Sequence, residues 1–571
     1  MNEIKKGIIA SEGIALGKVL LLEKLNIQIP TKKVKEEEIE NEIEKFDKAL
    51  EAYSNDLKNA KVETETQKEV INAHIGMLDD PFLKETVIGK IKNGKDYALK
   101  ALFDSINEMV AMMESLEDSY MRERASDYKD IGQRLLYKIS GVEPKNLSKL
   151  SDEVIIVSEE LTPSDTSTMD KEKVLGFAMD LGGKTAHTSI IAQTLGIPAL
   201  VGMKDISKSV KDGDYIILDA VKGEIYINPD KELIDKYLKL KEKMDTEKER
   251  LEKNKYKEAI TTDNKKVEVA CNIGNISDLD LGLEMGAEGV GLFRTEFLYM
   301  ENTHFPTEEE QFEVYKEAAE KLDGKPLIIR TLDIGGDKAL PYYEFPKEEN
   351  PFLGWRALRI SFDLPEVFNA QLRAILRASA FGKVRILLPM VISVEEVIRV
   401  KDILNDLKAD LRKENIKFDE DIEIGVMIET PASAIVSEDL IKYVDYFSIG
   451  TNDLTQYVLA ADRGNEKISK LYNTYNPAVL RMIKKVIDDS HKVGKWTGMC
   501  GGFAGDPKAT KLLLGLGLDE FSAAASTLPK IKDIIRNTSY EDAQEYAENI
   551  LNLEKTSEIV KNIETEFEKN N

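Results

Sequence analysis

IEIGVMIETPASAIVSEDLIKYVDYFSIGTND, residues 422–453, holds two short apolar runs, 422–429 and 446–450, with a helical stretch between them. Runs of this length match strands. The first closes on Glu429, and Asn452 and Asp453 follow the second. The same unit recurs outward in both directions. Upstream lie apolar segments at 267–272, 289–294, 327–330 and 384–390, and downstream at 496–500 and 518–522, again with helical stretches between them. Eight strand–helix units in about 300 residues predict a (β/α)8 barrel over 261–571. Its strand ends carry Asn272, Arg294, Arg330, Met390, Glu429, Asn452 with Asp453, Cys500 and Ser522. Barrel active sites sit at that end.

The first half has a different texture. Residues 7–9 and 17–22 read as two short strands. From Lys32, the residues Ile39, Ile43, Phe46, Leu50, Tyr53 and Leu57 recur at the spacing of an amphipathic helix, and helical texture runs on to about Ser140. Strand texture returns at 154–157, 176–179, 215–218 and 224–227. The expected class is α/β multidomain. A small discontinuous α/β domain (1–30 and 146–228) is interrupted by a bundle of roughly four helices at 31–145. A Lys- and Glu-dense linker helix at 229–260 leads into the barrel.

The 571 residues carry 104 acids against 79 bases, a net charge of −25. Such a chain is ill suited to nucleic acid or anionic lipid and suits a partner with a basic face. Two cysteines, Cys271 and Cys500, form no disulfide framework. The opening Met1-Asn-Glu-Ile-Lys-Lys offers no apolar signal core, and no apolar run reaches the ~18 residues of a membrane span. The expectation is a cytoplasmic protein with neither nucleic acid nor membrane as partner.

Chemistry gathers at two places. Around the barrel mouth stand Arg294, Arg330, Arg356 and Arg463, with Lys338 as a further positive charge. One arginine after a strand commonly makes a structural ion pair. Several around one mouth repel unless an anion sits between them, and guanidinium forks match phosphate and carboxylate oxygens. The ring asks for a small, multiply anionic ligand. Glu429 and Asp453 on neighbouring strand ends suit Mg²⁺, which takes one or two carboxylates plus substrate oxygens and water; an arginine–carboxylate lattice without metal is compatible with the same residues. Cys500, in Gly-Met-Cys-Gly-Gly, has no histidine near it in sequence, so proton donation to a substrate carbon fits better than nucleophilic work. Cys271 belongs to the core. In the first half, Leu181-Gly-Gly-Lys-Thr-Ala-His187-Thr-Ser sets a histidine at a helix start among hydroxyls and backbone N–H groups, a setting that favours a phosphoryl group on the imidazole. Thr166 is a candidate hydroxyl to orient that ring.

Together these segments resemble Enzyme I of the bacterial sugar phosphotransferase system, a family of phosphoenolpyruvate-utilising enzymes. The resemblance rests on Gly-Gly-Lys-Thr-Ala-His-Thr-Ser, Met-Ile-Glu-Thr-Pro, Gly-Thr-Asn-Asp-Leu-Thr-Gln and Gly-Met-Cys-Gly in this order, and spans essentially the whole chain. It implies that His187 is phosphorylated on Nε2 and that Cys500 protonates the enolate. Arg294, Arg330, Arg463, Asn452 and Asp453 would bind phosphoenolpyruvate, with Arg356 and Lys338 at further pocket positions, and Glu429 and Asp453 would hold Mg²⁺. The helical insert would dock the phosphocarrier HPr, with Glu65, His74, Met77, Leu83 and Arg124 near it. Homodimerisation through the barrel is a further expectation of the family. Two departures stand out: Lys184 where the family has arginine, which loses a bidentate fork, and Gly502 where it has glutamate.

The implied reaction moves a phosphoryl group from phosphoenolpyruvate to His187, releasing pyruvate, and then to a histidine of HPr. One histidine visiting two sites requires a domain swivel. A pyruvate phosphate dikinase or phosphoenolpyruvate synthase shares the histidine domain and barrel but needs an ATP-binding domain, for which no segment remains. A catalytically silent signalling relative would be marked by loss of His187, Cys500 or a pocket arginine, and all are present.

Overall fold

The computed structural model describes the chain except residues 1–2, 23–26, 59–64, 116–118, 143–144, 146, 148–149, 163–164, 166–168, 171, 184–191, 193–195, 337, 339, 466 and 571, and the side chains of 3, 65–70, 119–124, 126 and 570. It forms two compact units, 1–246 and 247–571.

The first unit is built on an eight-stranded mixed sheet in the order β1-β8-β7-β3-β4-β5-β6-β2. Its strands are β1 (Glu3–Lys6), β2 (Ile8–Ser11), β3 (Ile14–Leu22), β4 (Val154–Ser158), β5 (Val174–Met179), β6 (Ala199–Val201), β7 (Tyr215–Asp219) and β8 (Glu224–Ile227). Three strands, not two, precede the insert, because Gly7 and Gly13 break the opening apolar stretch into separate pieces. A side chain at Gly13, which has φ +143°, would strike the Pro198 ring. Among the described residues the helical insert between β3 and β4 has five helices, against the roughly four expected: α1 (Ile39–Lys58), α2 (Glu65–Leu78), α3 (Pro81–Gly94), α4 (Ala98–Glu114) and α5 (Ser119–Ser140). The extra boundary is the Asp80-Pro81 step. Pro81 opens α3, and the Asp80 side chain accepts the Phe82 N–H at 2.9 Å. The bundle has its own core of Phe46, Leu83, Ile91, Leu102 and Ile131, separate from the cores on the sheet. Buried Glu42 on α1 is satisfied by the N–H of Ala98 at 2.9 Å and by Lys45, so it ties α1 to the start of α4.

The helix that follows, α6 (Lys231–Asn254), is polar on nearly every face, and Tyr237 is its one buried residue. The Tyr237 hydroxyl donates to Asp219 at 2.8 Å, which anchors the helix to the end of β7.

The second unit is a closed barrel of eight parallel strands: β9 (Glu268–Ile273), β10 (Val290–Arg294), β11 (Leu327–Arg330), β12 (Val384–Leu388), β13 (Ile424–Ile428), β14 (Tyr446–Ile449), β15 (Trp496–Met499) and β16 (Glu520–Ala523), with β16 pairing back to β9. Outward residues such as Val426, Ile428, Phe447 and Ile449 pack under the helices, at about 1.5–3 kcal/mol for each large side chain. The interior is filled by Leu292, Ile328, Leu387, Met427, Tyr446 and Cys500. Gly425 makes room for Tyr446, since a Cβ there would stand 2.3 Å from its ring. Cys271 is fully buried in the outer core. No described helix is long and apolar enough to cross a membrane.

Candidate functional site at the barrel mouth

The C-terminal strand ends bring most of the sequence-selected side chains into one place. Arg330 ends β11 and is buried. It donates to Glu296 at 2.5 Å and pairs with Asp333 at 2.9 Å. Lys338 reaches the same two acids, at 2.7 and 3.2 Å. Arg356 donates to Asp333 at 2.9 Å, to Asp453 at 3.4 Å and to the Tyr457 hydroxyl at 3.2 Å. Arg463 lies 3.7 Å from the other oxygen of Asp453. Asp333, enclosed by three cations, is held far below the usual carboxylate range: Arg330, Lys338 and Arg356 outweigh the opposing cost of burial. Half-buried Arg294 at the end of β10 has no hydrogen bond or ion pair among the described residues.

Glu429 and Asp453 close the ring. Both are buried. Glu429 Oε1 accepts the Met390 N–H at 2.6 Å, and Met390 takes up φ +56° at that point, a left-handed backbone that costs a β-carbon residue of order 1 kcal/mol. Gly450 keeps the other oxygen clear, since a Cβ there would stand 2.9 Å from Glu429 Oε2. Burial pushes the Glu429 carboxyl up to about 8, helped by Asp453 and Asp333 and opposed by Arg330 and Arg356. Asp453 Oδ1 receives no hydrogen bond among the described residues. A carboxyl that yields its proton to a cation, beside a carboxylate oxygen with no hydrogen bond, fits Mg²⁺. No third His, Cys, Asp or Glu joins them as a metal cluster among the described residues. The remaining positions would fall to substrate oxygens and water.

Cys500 follows β15 and is only 4% exposed. Burial pushes its thiol up to about 11, against the pull of Ser448 and Arg330. The group is therefore a thiol, not a thiolate, at neutral pH, the form a proton donor needs. Its backbone is fixed by Asn272, whose amide donates to the Cys500 carbonyl at 3.1 Å, and Ser522 fixes Asn272 in turn at 2.7 Å. Asn452 accepts the Gly502 N–H at 3.0 Å, so the loop after Cys500 is tied to the β14 end where the family pattern would place a glutamate side chain.

Sequence reasoning passed over Glu296 and Asp333, the acids that hold the cationic ring in place. Their signal was the position: each lies two or three residues beyond an arginine already singled out, in Arg294-Thr-Glu296 and Arg330-Thr-Leu-Asp333. It also passed over Tyr457, and took Met390 only as a strand end, without its contact to Glu429. His187, Thr166 and Lys184 lie outside the described residues, as do the side chains of Glu65 and Arg124. What is described nearby is the exit from β5, where buried Asp180 accepts the Ser207 N–H at 3.0 Å and Gly182 turns the chain at φ +103°.

Of the expected partner face on the bundle, three residues are buried in the chain on its own. Leu83 is 0% exposed, and Met77 and His74 are buried as well. Met77 and Leu83 belong to the bundle core. Phe82, 58% exposed beside Leu83, is the apolar group that the surface presents there.

Three family models match in order: the N-terminal domain of phosphoenolpyruvate-utilising enzymes over residues 6–124, their mobile domain over 150–223, and their phosphoenolpyruvate-binding domain over 248–540. Phosphoenolpyruvate-protein phosphotransferases resemble the chain along its length. That of Buchnera aphidicola subsp. Schizaphis graminum is 50% identical over 97% of this chain and 98% of its own. That of Haemophilus influenzae is 48% identical, covering 98% of each. That of Listeria monocytogenes is 45% identical, again covering 98% of each. A solution structure of Enzyme I is 41% identical, covering 42% of this chain and 99% of that one, with a TM-score of 0.39.

Proposed function

Since the chain belongs to the phosphoenolpyruvate-protein phosphotransferase family and transfers the phosphoryl group of phosphoenolpyruvate, we propose how its own residues divide that work. His187 is the carrier. Its ring nitrogen attacks phosphorus, the bond from phosphorus to the enol oxygen breaks, and enolpyruvate leaves. Cys500 delivers its thiol proton to the methylene carbon, giving pyruvate; the ring proton goes to solvent, and solvent restores the thiol. The observation that carries this reading is the convergence at one mouth of a cationic ring, a carboxylate pair and a buried, protonated thiol.

Arg294, Arg330, Arg356, Arg463, Lys338 and Asn452 bind and orient the substrate. Fixed cations aimed at a transferring phosphoryl group supply most of the catalysis in such reactions, because their orientation is settled before the charge develops. Glu296 and Asp333 settle it here. Glu429 and Asp453 would hold Mg²⁺, which supplies charge neutralisation on the phosphoryl oxygens when bound. Thr166 orients His187. The second acceptor is a histidine of HPr, docked on the 31–145 bundle near Glu65 and Arg124, and a basic face on the carrier would complement the chain's −25 charge. The compartment is the cytoplasm, and the oligomer is a dimer through the barrel.

Incubation with ³²P-labelled phosphoenolpyruvate and Mg²⁺ tests the carrier assignment. Acid-labile, alkali-stable label should appear on the wild-type chain and be absent from His187→Ala. Label of that stability persisting in His187→Ala would show that another residue is the carrier.

A further inference from the structure

The barrel has a second cavity at the opposite end. About 590 Å³ in volume, it opens among the first residues of β9, β15 and β16, with Lys325, Arg385 and Lys532 on its walls. The strands between this foot and the catalytic mouth are four to six residues long, about 13–20 Å. The volume falls within the roughly 300–1,000 Å³ of small-molecule sites.

Its floor is an anomaly of polar chemistry. Glu520 is 3% exposed, and neither carboxylate oxygen has a hydrogen-bond partner among the described residues. A buried carboxyl group left in this state costs several kcal/mol. The space for it is cut out of the backbone: a Cβ on Gly291 would stand 1.8 Å from Oε1, and one on Gly498 would stand 2.2 Å from Oε2. Glu268 lies level with Glu520 on the neighbouring strand, so the two side chains share the interior face. The Glu268 side chain too makes no hydrogen bond among the described residues.

The other charged groups around the cavity are occupied. Lys532 donates to the carbonyls of Lys255, Lys257 and Gly286 and pairs with Glu288 at 3.1 Å. Lys325 donates to the Ala287 carbonyl and Lys266 pairs with Glu258, while Arg385 pairs with Glu423, stands 4.9 Å from the centre of the Trp496 ring and draws the Glu268 and Glu520 carboxyls down without a hydrogen bond to either. What the cavity leaves open is acceptor capacity at two adjacent carboxylates. Beside them is an apolar wall of Trp496, stacked on Tyr446 with centroids 4.5 Å apart. Acceptors without donors call for a ligand rich in N–H groups and positively charged.

We propose that the foot of the barrel is a binding site for a small organic ammonium ion, whose N–H groups donate to Glu520 and Glu268 while its carbon chain lies against Trp496. Burial and the neighbouring Glu268 push the Glu520 carboxyl up to about 8, so near neutral pH the ammonium takes the place of a proton, which passes to the buffer. The proposal uses no residue of the catalytic mouth and stands or falls separately from the phosphotransfer assignment.

Calorimetric titration of the full-length protein at pH 7 with n-butylammonium, in two buffers of different ionisation enthalpy, tests it. The expected result is one saturable site that releases close to one proton, persists with saturating phosphoenolpyruvate and shows no heat with n-butanol. Glu520→Gln keeps the side-chain volume and should weaken binding at least tenfold and abolish proton release. Glu268→Gln, closer to the rim, should weaken it likewise. The absence of saturable binding, equal affinity for n-butanol, displacement by phosphoenolpyruvate, or wild-type affinity in either variant would overturn the proposal.

Discussion

Cys500 can give up a proton only if it holds one, and the structure makes that measurable. Burial raises its thiol to about 11, with Arg330 pulling the other way. A raised value means that the donor form is complete at physiological pH and is lost only as pH climbs through about 11. At pH 8 the thiolate fraction is then about one part in a thousand, against about a quarter for an unperturbed cysteine near 8.5. Iodoacetamide reacts with the thiolate, so alkylation of Cys500 at pH 8 should be roughly 200-fold slower than that of N-acetylcysteine from ionisation alone, and slower still for lack of access. The pH dependence separates the two causes. Limited access leaves the midpoint unmoved, whereas a raised value makes the rate climb tenfold per pH unit without levelling off by pH 10. Peptide mass spectrometry resolves Cys500 from Cys271, whose thiol burial raises to about 12. Cys500→Ser replaces the thiol with a far weaker acid and should lower turnover by about 10²–10⁴, the usual worth of a positioned general acid. An alkylation rate that levels off between pH 8 and 9, or near-normal turnover of Cys500→Ser, would refute the proton-donor role.

Asp333→Asn removes the carboxylate that faces Arg330, Lys338 and Arg356; kcat/KM for phosphoenolpyruvate should fall by about 10² and urea stability by about 3–5 kcal/mol, and retention of both would show that the ring is held by other means. Phosphoenolpyruvate should bind at least tenfold more tightly with Mg²⁺ than without, Mg²⁺ should gain equally from phosphoenolpyruvate, and Glu429→Gln should erase the coupling in calorimetry; independent binding would remove the carboxylate pair from the metal's support. In the folded chain Glu520 keeps its proton up to about 8, while the unfolded chain loses it near 4.5. Its contribution is therefore greatest in acid and declines by about 1.4 kcal/mol per unit as pH rises between these values. Urea unfolding should find Glu520→Gln more stable than wild type by roughly 3 kcal/mol at pH 7, with the gap closing towards pH 5; a gap independent of pH would contradict a protonated Glu520.

The barrel was legible because its signal is local. Each strand is a short apolar run that ends on a polar residue, and this pattern needs no knowledge of what lies across the barrel. For the same reason Arg330, Glu429, Asp453 and Cys500 could be picked out. Glu296 and Asp333 were harder, since their importance lies in pairing with Arg330, Lys338 and Arg356 across 3 to 42 positions of sequence, most of them far apart. His74, Met77 and Leu83 differ again: they came from resemblance to a docking domain, which does not say which way a side chain turns on a helix, and packing turns all three inward. The fifth helix of the bundle was hidden because Asp80-Pro81 interrupts otherwise unbroken helical composition by a single turn.

The acids within the cationic ring explain why so many arginines can be kept together without a ligand. Arg294, Arg330, Lys338, Arg356 and Arg463 bring five positive charges to the mouth, and Glu296, Asp333, Glu429 and Asp453 bring four negative ones. Once a bound cation has displaced the Glu429 proton, all of them are ionised and one positive charge remains; without it, two remain. A phosphate monoester carries about −1.5 to −2 near neutral pH, and the carboxylate of phosphoenolpyruvate adds one more, so the substrate alone would leave the buried mouth negative. A divalent cation brings site and substrate close to balance. Adding arginines would neutralise the substrate as well, but at the cost of stronger repulsion in the empty site, where burial makes unpaired charge expensive. A cation that arrives with the substrate avoids that cost. Glu429 and Asp453, with few hydrogen-bonding partners of their own and Met390 strained to hold the first of them, are the positions in the ring where such a cation gains most.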